Sequence, residues 1–348
     1  MIADRLTAQL LAGPPARDPV AVVERLLAVQ GQDQRGFRLA IRSRSTGLAA
    51  ADVDRALTID RSLVVTWVNR GTLHLVRSED YRWLHALTAP PIARANATRL
   101  GQEGVSVRAA NRGVEVITKA LATDGPLSRD QLRERLERAK VPTKGQALIH
   151  VIILASIRGL TVRGPMIDGQ HAYVLVNDWL DDPGPIDRDA ALAELARRYL
   201  AGHGPADARD VAKWAGLPLR DARAGLTSIA GELDERSDGL VDLKKRLPVA
   251  ELPPPRLLGS FDPLLVGWRS REPLVGANQA ILTVNGVFRP FALVRGRAVA
   301  TWSMPGNSIV LKPFAPVSRK DRAALADDAE AVARFLGVTS PAGMTAAG

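Results

Sequence analysis

The feature that most restricts the fold is a repeated order of elements: several short amphipathic helices, then two strands around a tight turn. Residues 2–12 place apolar side chains at helical spacing. Asp18-Pro19 opens a second helix that reaches Leu27 and Val29, with the aspartate as cap and the proline in the first turn. Helices at about 36–44 and 50–59 follow. SLVVTWV (62–68) and TLHLV (72–76) then read as strands joined by Asn69-Arg70-Gly71, where Asn and Gly tolerate the positive φ of a hairpin turn. A further helix is expected from Ser78 to Thr88. The order returns with helices at 112–123, 127–138 (Ser128 and Gln131 forming a capping box) and 145–159, then strands at 160–163 and 171–175 around a turn at 164–170. It returns again after the joint DDPGPIDRD (181–189). There a helix spans 188–203, two helices turn at Gly216-Leu217-Pro218, and a hairpin turns at Asp238-Gly239.

Helices followed by a hairpin is the layout of a winged helix. The expected fold class is therefore α+β, mainly α: three tandem winged-helix units in a curved arrangement, over residues 1–110, 111–183 and 184–252. Past Pro253-Pro254-Pro255 the composition turns to β, with strands expected near 257–261, 280–284, 289–294, 298–302 and 309–312 and a tight turn at Arg295-Gly296. A helix at 319–336 closes this β-rich segment (253–338), and 339–348 reads as a loose tail.

Composition narrows the chemistry. The 348 residues are 46% hydrophobic, enough to bury a core over several domains. There is no cysteine, which excludes disulfides, thiolate zinc sites, cysteine nucleophiles and iron–sulfur clusters and fits a reducing cytoplasm, the expected location. The histidines (His74, His85, His150, His171, His203) are scattered, so no metal site is expected. No run of 18 apolar residues suggests a membrane span. The opening MIADRLTAQLLAGPPA lacks the positive start of a signal peptide and reads as a helix. Neither a P-loop, a strand-linked G-x-G-x-x-G nor a G-x-S-x-G is present, so no cofactor is expected. The net charge of +10, most of it on Arg, favours a polyanion partner, because guanidinium groups grip phosphates bidentately.

The densest polar cluster is LLAVQGQDQRGFRLAIRSRS (26–45). Gln30, Gln32 and Gln34 alternate, and Arg35, Arg38 and Arg42 fall at i, i+3 and i+7, one helical face. A solvated basic face is the plain alternative. The segment nevertheless resembles the AlkZ/YcaQ-like bacterial DNA glycosylases, which carry a Q-Φ-Q or Q-Φ-D motif before an Arg-rich helix ending in S-R. Gln30-Gly31-Gln32 and Ser43-Arg44 match it here. The resemblance continues at RGTLHLVRSEDY (70–81), weakly at GSFDPLLVGWRSR (259–271), at NGVFRPFALVRGRAVATW (285–302) and at KPF (312–314). It covers most of the chain in the same order. One departure is Gly31, where the family has a hydrophobic residue. Gln32-Asp33-Gln34 also offers an overlapping register, so Gln30/Gln32 and Gln32/Gln34 both stand as candidate pairs.

The resemblance implies hydrolysis of the N-glycosidic bond of alkylated purines, with some members acting on bulky adducts or interstrand crosslinks. The expected partner is duplex DNA, bound by a monomer, in repair or in self-resistance to a genotoxin. An N7-alkylguanine leaves as a neutral base, so what remains is to position water and to stabilise an oxocarbenium-like sugar. Gln30 and Gln32 would orient that water, Asp33 would help electrostatically, and Gln34 belongs to the same candidate set. Two glutamines two apart on a helix diverge by about 200°, so residues 30–34 are expected to leave helical geometry. Arg35, Arg38, Arg42 and Arg44 would grip phosphates, Arg70 would sit at a wing tip, and His74 and Arg77 would contact DNA from the same hairpin. No lysine is placed for a Schiff base, so a monofunctional enzyme is expected. The alternative from another class is a non-enzymatic winged-helix regulator. The apolar stretch 145–159 and Trp67, Trp214 and Trp302 are expected in the core, Lys244-Lys245-Arg246 in solvent, and Asp262, Arg269 and Arg271 in a loop without an assigned role.

Overall fold

A computed structural model of the chain describes all residues except 168, 183, 277, 284, 285, 339–341, 347 and 348. Four helices open it: α1 (Ile2–Ala8), α2 (Pro19–Leu26), α3 (Gln34–Arg42) and α4 (Ala50–Thr58), with a short strand β1 (Val29–Gln30) between α2 and α3. Aspartates start two of them: Asp18 accepts from the N–H groups of Val20 and Ala21, and Asp33 from that of Arg35. The hairpin β2 (Leu63–Val68) and β3 (Thr72–Arg77) turns through Asn69 at φ 53° and Gly71 at φ 75°. Then come α5 (Ser78–Gln102), α6 (Val107–Asp124), α7 (Arg129–Arg138), α8 (Ala147–Ile157), the hairpin β4 (Thr161–Ile167) and β5 (Gln170–Leu175), and a helical turn α9 (Val176–Trp179). The capping box of Ser128 and Gln131 is formed at α7. Next are α10 (Arg188–His203), α11 (Ala208–Ala215), α12 (Leu219–Ser228) and the hairpin β6 (Leu233–Glu235) and β7 (Val241–Leu243). Gly216 ends α11 in the left-handed region at φ 71°. The last part holds β8 (Arg256–Leu258), α13 (Pro263–Val266), α14 (Glu272–Val275), β9 (Phe291–Val294), β10 (Arg297–Ser303), β11 (Ser308–Pro313), α15 (Arg319–Phe335) and β12 (Ala342–Ala346).

The molecule is mixed α/β and helical over about half its length. The hairpins combine in a way that local patterns do not reveal. Val65 of β2 pairs with Arg163 of β4, so the first two hairpins form one five-stranded antiparallel sheet, β1-β3-β2-β4-β5. That sheet spans the boundary expected at 110–111. A second sheet, β12-β11-β10-β9-β8, packs against α15. α8 buries Leu148, Val151 and Ile152 fully or nearly so but leaves Ile149, Ile153 and Leu154 half-buried, and Trp67, Trp214 and Trp302 are in the core.

Three local expectations are corrected. α5 does not stop at Thr88 but runs through Pro90-Pro91 to Gln102, because Ile92, Asn96 and Leu100 are buried and the helix packs along α8. Packing there outweighs the local cost of proline. No strand forms at 280–283: Gln279–Ile281 is a 3₁₀ turn and Leu282 makes an isolated bridge to Phe288. Residue 284 lies outside the described residues, as does the start of the motif at 285. Residues 342–346 of the expected tail form β12, paired in parallel with β11, while 339–341, 347 and 348 lie outside the described residues. Among the described residues no helix is long and apolar enough to cross a membrane.

Candidate active site

Residues 30–33 leave helical geometry as the spacing of the glutamines requires, but Gln34, expected to leave it too, is already in α3. Gln30 pairs with His74 on β3, and the Gly31 N–H donates to Leu73 O at 2.7 Å, which carries the chain toward the hairpin tip. The extended backbone brings the two amides together: Gln30 Nε2 donates to Gln32 Oε1. Gln30 is 7% exposed, whereas Gln32 faces solvent. Asp33 is instead the cap of α3, its carboxylate accepting from the Arg35 N–H at 2.9 Å, and Gln34 is the first residue of that helix. Of the two registers, only Gln30/Gln32 has its amides in contact among the described hydrogen bonds. Gly31 lies under β3: a Cβ here would stand 3.4 Å from the His74 and Leu75 backbone and from Val65 Cγ1. Val65 thus occupies space that a larger central residue would need.

Arg70 locks the pair to the rest of the molecule. Its Nη2 donates to Gln30 Oε1 at 3.3 Å, and its Nη1 donates to the carbonyl of Trp214 on α11. A Cβ at Gly216 would lie 3.1 Å from the Arg70 backbone, so the α11–α12 turn closes directly on the hairpin tip. The tip is thus docked onto a helix-turn-helix and does not project as a free wing. Burial, with the nearby charge of Arg271, lowers the Arg70 guanidinium to about 10, still protonated at neutral pH. His74 is buried with Nδ1 2.9 Å from Thr72 O. Desolvation, helped by Arg70, pushes its imidazole down to about 3, which keeps it neutral. With 1% of its surface exposed, it is placed as a structural residue and not for touching DNA.

Most arginines expected on phosphates have partners inside the chain. Arg38 Nε donates to Asp54 Oδ1 at 2.9 Å. Arg42 Nη1 donates to Asp328 Oδ2 at 2.9 Å. Arg77 bonds Asp80 at 2.7 Å and pairs with Glu24 and Glu79. Arg44 has no exposed surface: it makes a bidentate pair with Asp262, at 2.9 and 2.8 Å, and donates to Gln9 Oε1 at 2.8 Å. A buried guanidinium in that position cannot reach a phosphate. Arg35, at the start of α3, is exposed. The sequence pattern does not reveal Asp54, Asp328 and Asp262 as the partners of these arginines.

A search with family models matches residues 23–335 to the family described as DNA glycosylase AlkZ-like. The chain belongs to the AlkZ-like DNA glycosylase family. It is 27% identical over 351 residues to the interstrand DNA cross-link repair glycosylase of Streptomyces sahachiroi, which covers 94% of this chain and 92% of that protein. The solved structure of the Streptomyces sahachiroi DNA glycosylase AlkZ superposes with a TM-score of 0.79 at 26% identity, covering 99% of this chain and 98% of that one. Membership makes the protein a hydrolase of the N-glycosidic bond, acting on DNA, and sets aside the reading as a non-enzymatic regulator. It also gives the separated family motifs one structural meaning, because the S-R at 43–44 and the F-D-P at 261–263 meet in the Arg44–Asp262 pair. In addition, Gly36 on α3 packs on the same loop: its Cβ would stand 2.6 Å from Ser260 O.

Proposed function

We propose that the protein excises N7-alkylpurines from duplex DNA as a monomeric, monofunctional glycosylase, and that Gln30 and Gln32 are its catalytic pair. The observation that carries this is the amide contact between buried Gln30 at the end of β1 and exposed Gln32. Gln30 Nε2 and Oε1 are both engaged, by Gln32 and Arg70, so Gln30 is an orienting group. Gln32 keeps its NH₂ and one carbonyl lone pair for a water molecule. That water attacks C1′ as the C1′–N9 bond breaks. The bonding pair goes to N9 and neutralises the cationic base, and the proton of the attacking water passes to solvent. No strong acid is needed for such a leaving group, and held geometry supplies most of the rate. Asp33, on the cap of α3, lies close enough in sequence to favour positive charge developing on the sugar.

Arg35 and Arg70 are the DNA contacts we retain from the motif; the helix–hairpin repeats fit winged-helix units curved around the duplex. The similar Streptomyces sahachiroi protein is an interstrand DNA cross-link repair glycosylase, which supports extending the substrate class to interstrand crosslinks; the role we assign is repair or self-resistance to a genotoxin. The test is release of base from duplexes carrying N7-methylguanine or an N7-linked crosslink, scored as abasic sites. Gln32→Ala should cut single-turnover excision about a hundredfold or more while duplex binding persists. Full excision by Gln32→Ala would remove the assignment.

A further inference from the structure

Two hydrophobic cores meet on one face of the five-stranded sheet. One, which includes α2, α3 and α4, reaches the sheet at Val65 and Leu75. The other, which includes α6, α7 and α8, reaches it at Trp67 and Tyr173. Leu73 packs on both and is half-buried, so it marks the seam between them. The seam borders the glutamine segment, because the Gly31 N–H donates to Leu73 O and a Cβ at Gly31 would meet Val65.

Arg163 of β4 stands in this seam. It is paired across the sheet with Val65 on one side and Tyr173 on the other, so its side chain leaves on their face. The guanidinium lies over the ring of Tyr173 at 4.2 Å and that of Trp67 at 5.4 Å, and Nη1 donates to His171 O at 3.0 Å. Aromatic faces and a carbonyl hold such a group in place without neutralising it. Its Nε is shut in without a partner, and Nη2 has none among the described residues, while part of the side chain remains in solvent. A second guanidinium comes from α7. The Leu127 backbone exchanges two hydrogen bonds with Tyr173, at 3.2 and 2.8 Å, which brings the start of that helix alongside β5. Arg129, two residues on, is half-buried and its Nε is likewise unpartnered, whereas the neighbouring Asp130 pairs with Arg133 at 2.8 Å. Burial lowers the Arg163 guanidinium from its ordinary value, and the charge of Arg129 presses the same way.

We infer that the seam takes a backbone phosphate of the bound duplex, held by Arg163 and Arg129, as an anchor separate from Arg70 at the hairpin tip. Planar guanidinium groups fit phosphate oxygens, and a phosphate supplies the counter-charge that the fold does not. In the order β1-β3-β2-β4 the arginine strand is three strands from the glutamines, about 14 Å at the usual spacing. At about 3.4 Å per base pair, the phosphate lies within about four steps of the target nucleotide, on its own strand or on the complement. The inference rests on the DNA glycosylase reading and adds to it the place where the backbone is held beside the site.

The experiment uses the full chain and a duplex with one uncleavable abasic analogue, which fixes the register, and reads affinity by anisotropy of a terminal label. Arg163→Met should lower the magnitude of the slope of log affinity against log salt by about one, and Arg163→Lys should restore it. In a second series, single neutral methylphosphonates replace successive phosphates within four steps of the analogue on either strand. One of them should weaken wild-type binding about tenfold and have no further effect on Arg163→Met. Its position says whether the strand that loses the base or its complement crosses the seam, and either strand fits. Arg129→Met reads the same slope independently if Arg163→Met does not fold. A purely structural Arg163 would lower the denaturation midpoint of Arg163→Met and leave the slopes and the methylphosphonate pattern as in the wild type; that result overturns the inference. Excision of N7-methylguanine by the wild-type protein is scored separately. Excision with unchanged slopes leaves the glycosylase standing and removes the seam, and changed slopes without excision leave the seam standing and remove the catalytic reading.

Discussion

Arg44 is fully buried and Arg70 half-buried, and their charges are handled in opposite ways. Arg44 meets a carboxylate from 218 residues away in a bidentate pair, and its two Nη groups also donate to Gln9, Ser43 and a helix carbonyl, while its Nε has no partner in the protein. Arg70 meets only neutral acceptors, a carbonyl and an amide oxygen, with another cation, Arg271, in its neighbourhood. Ion pairs of the first kind hold the α3 region against the C-terminal sheet. A cation of the second kind is a standing electrostatic deficit, the one that under the proposed function a phosphate of DNA would remove. Positive charge in the sequence is therefore a poor guide to the DNA-binding face; positive charge without an internal partner is a better one.

The largest effect expected from this contrast is on stability. Asp262→Ala leaves the Arg44 guanidinium buried without a counter-charge, which should cost about 3–5 kcal/mol in chemical denaturation. Replacing both partners by apolar residues, Arg44→Met with Asp262→Leu, should recover much of that loss. If Asp262→Ala costs under about 1 kcal/mol, Arg44 has another way to be satisfied and the contrast with Arg70 collapses.

Much of the framework was legible because its determinants are local. Asp18, Ser128 and Gln131 announce their helices by hydrogen bonds within three residues, and all three are used as the pattern requires. The departure of Gln30 and Gln32 from helical geometry follows from spacing alone. The arginine partners were not legible, since Asp262 and Asp328 are 218 and 286 residues from the arginines they bind. A helical face of Arg35, Arg38 and Arg42 looks solvated until the opposite charges are folded onto it. The helix from Ser78 does not end at Thr88, because the buried face of α5 outweighs the two missing N–H groups of Pro90 and Pro91. Asn69 carried the mark of a turn residue and has φ 53°; its burial under the α11–α12 turn depends on a segment some 140 residues later.

A second, smaller effect sharpens the view of the hairpin tip as uncompensated. His74 is neutral in the fold because of burial and the Arg70 charge, with its imidazole lowered to about 3. The unfolded chain takes up that proton near 6.5, so between about pH 6.5 and 3 the unfolded state binds more protons and stability falls as pH falls. At pH 5 the loss from this one group is about 2 kcal/mol relative to pH 8, by 1.36 kcal/mol per unit. His74→Leu should shed that part of the acid sensitivity. An unchanged difference between pH 8 and pH 5 in the variant would mean that a carboxylate compensates the tip after all.

The smallest expected change is also the most direct probe of the comparison. Arg70→Met removes a cation with no ion-pair partner, so stability should move by less than about 1 kcal/mol, in contrast to the Arg44–Asp262 pair. Its effect belongs to DNA binding: the slope of log affinity against log salt should fall in magnitude by about one, the signature of one lost phosphate contact. Arg44→Met should leave that slope alone, since its side chain has no exposed surface. Equal slopes for wild type and Arg70→Met would mean that no phosphate approaches Arg70, and the unpaired guanidinium would then serve only to orient Gln30. Excision by Arg70→Met separates the two roles. A defect that persists at saturating DNA reports the lost hold on Gln30 Oε1, whereas one that saturating DNA restores reports binding alone.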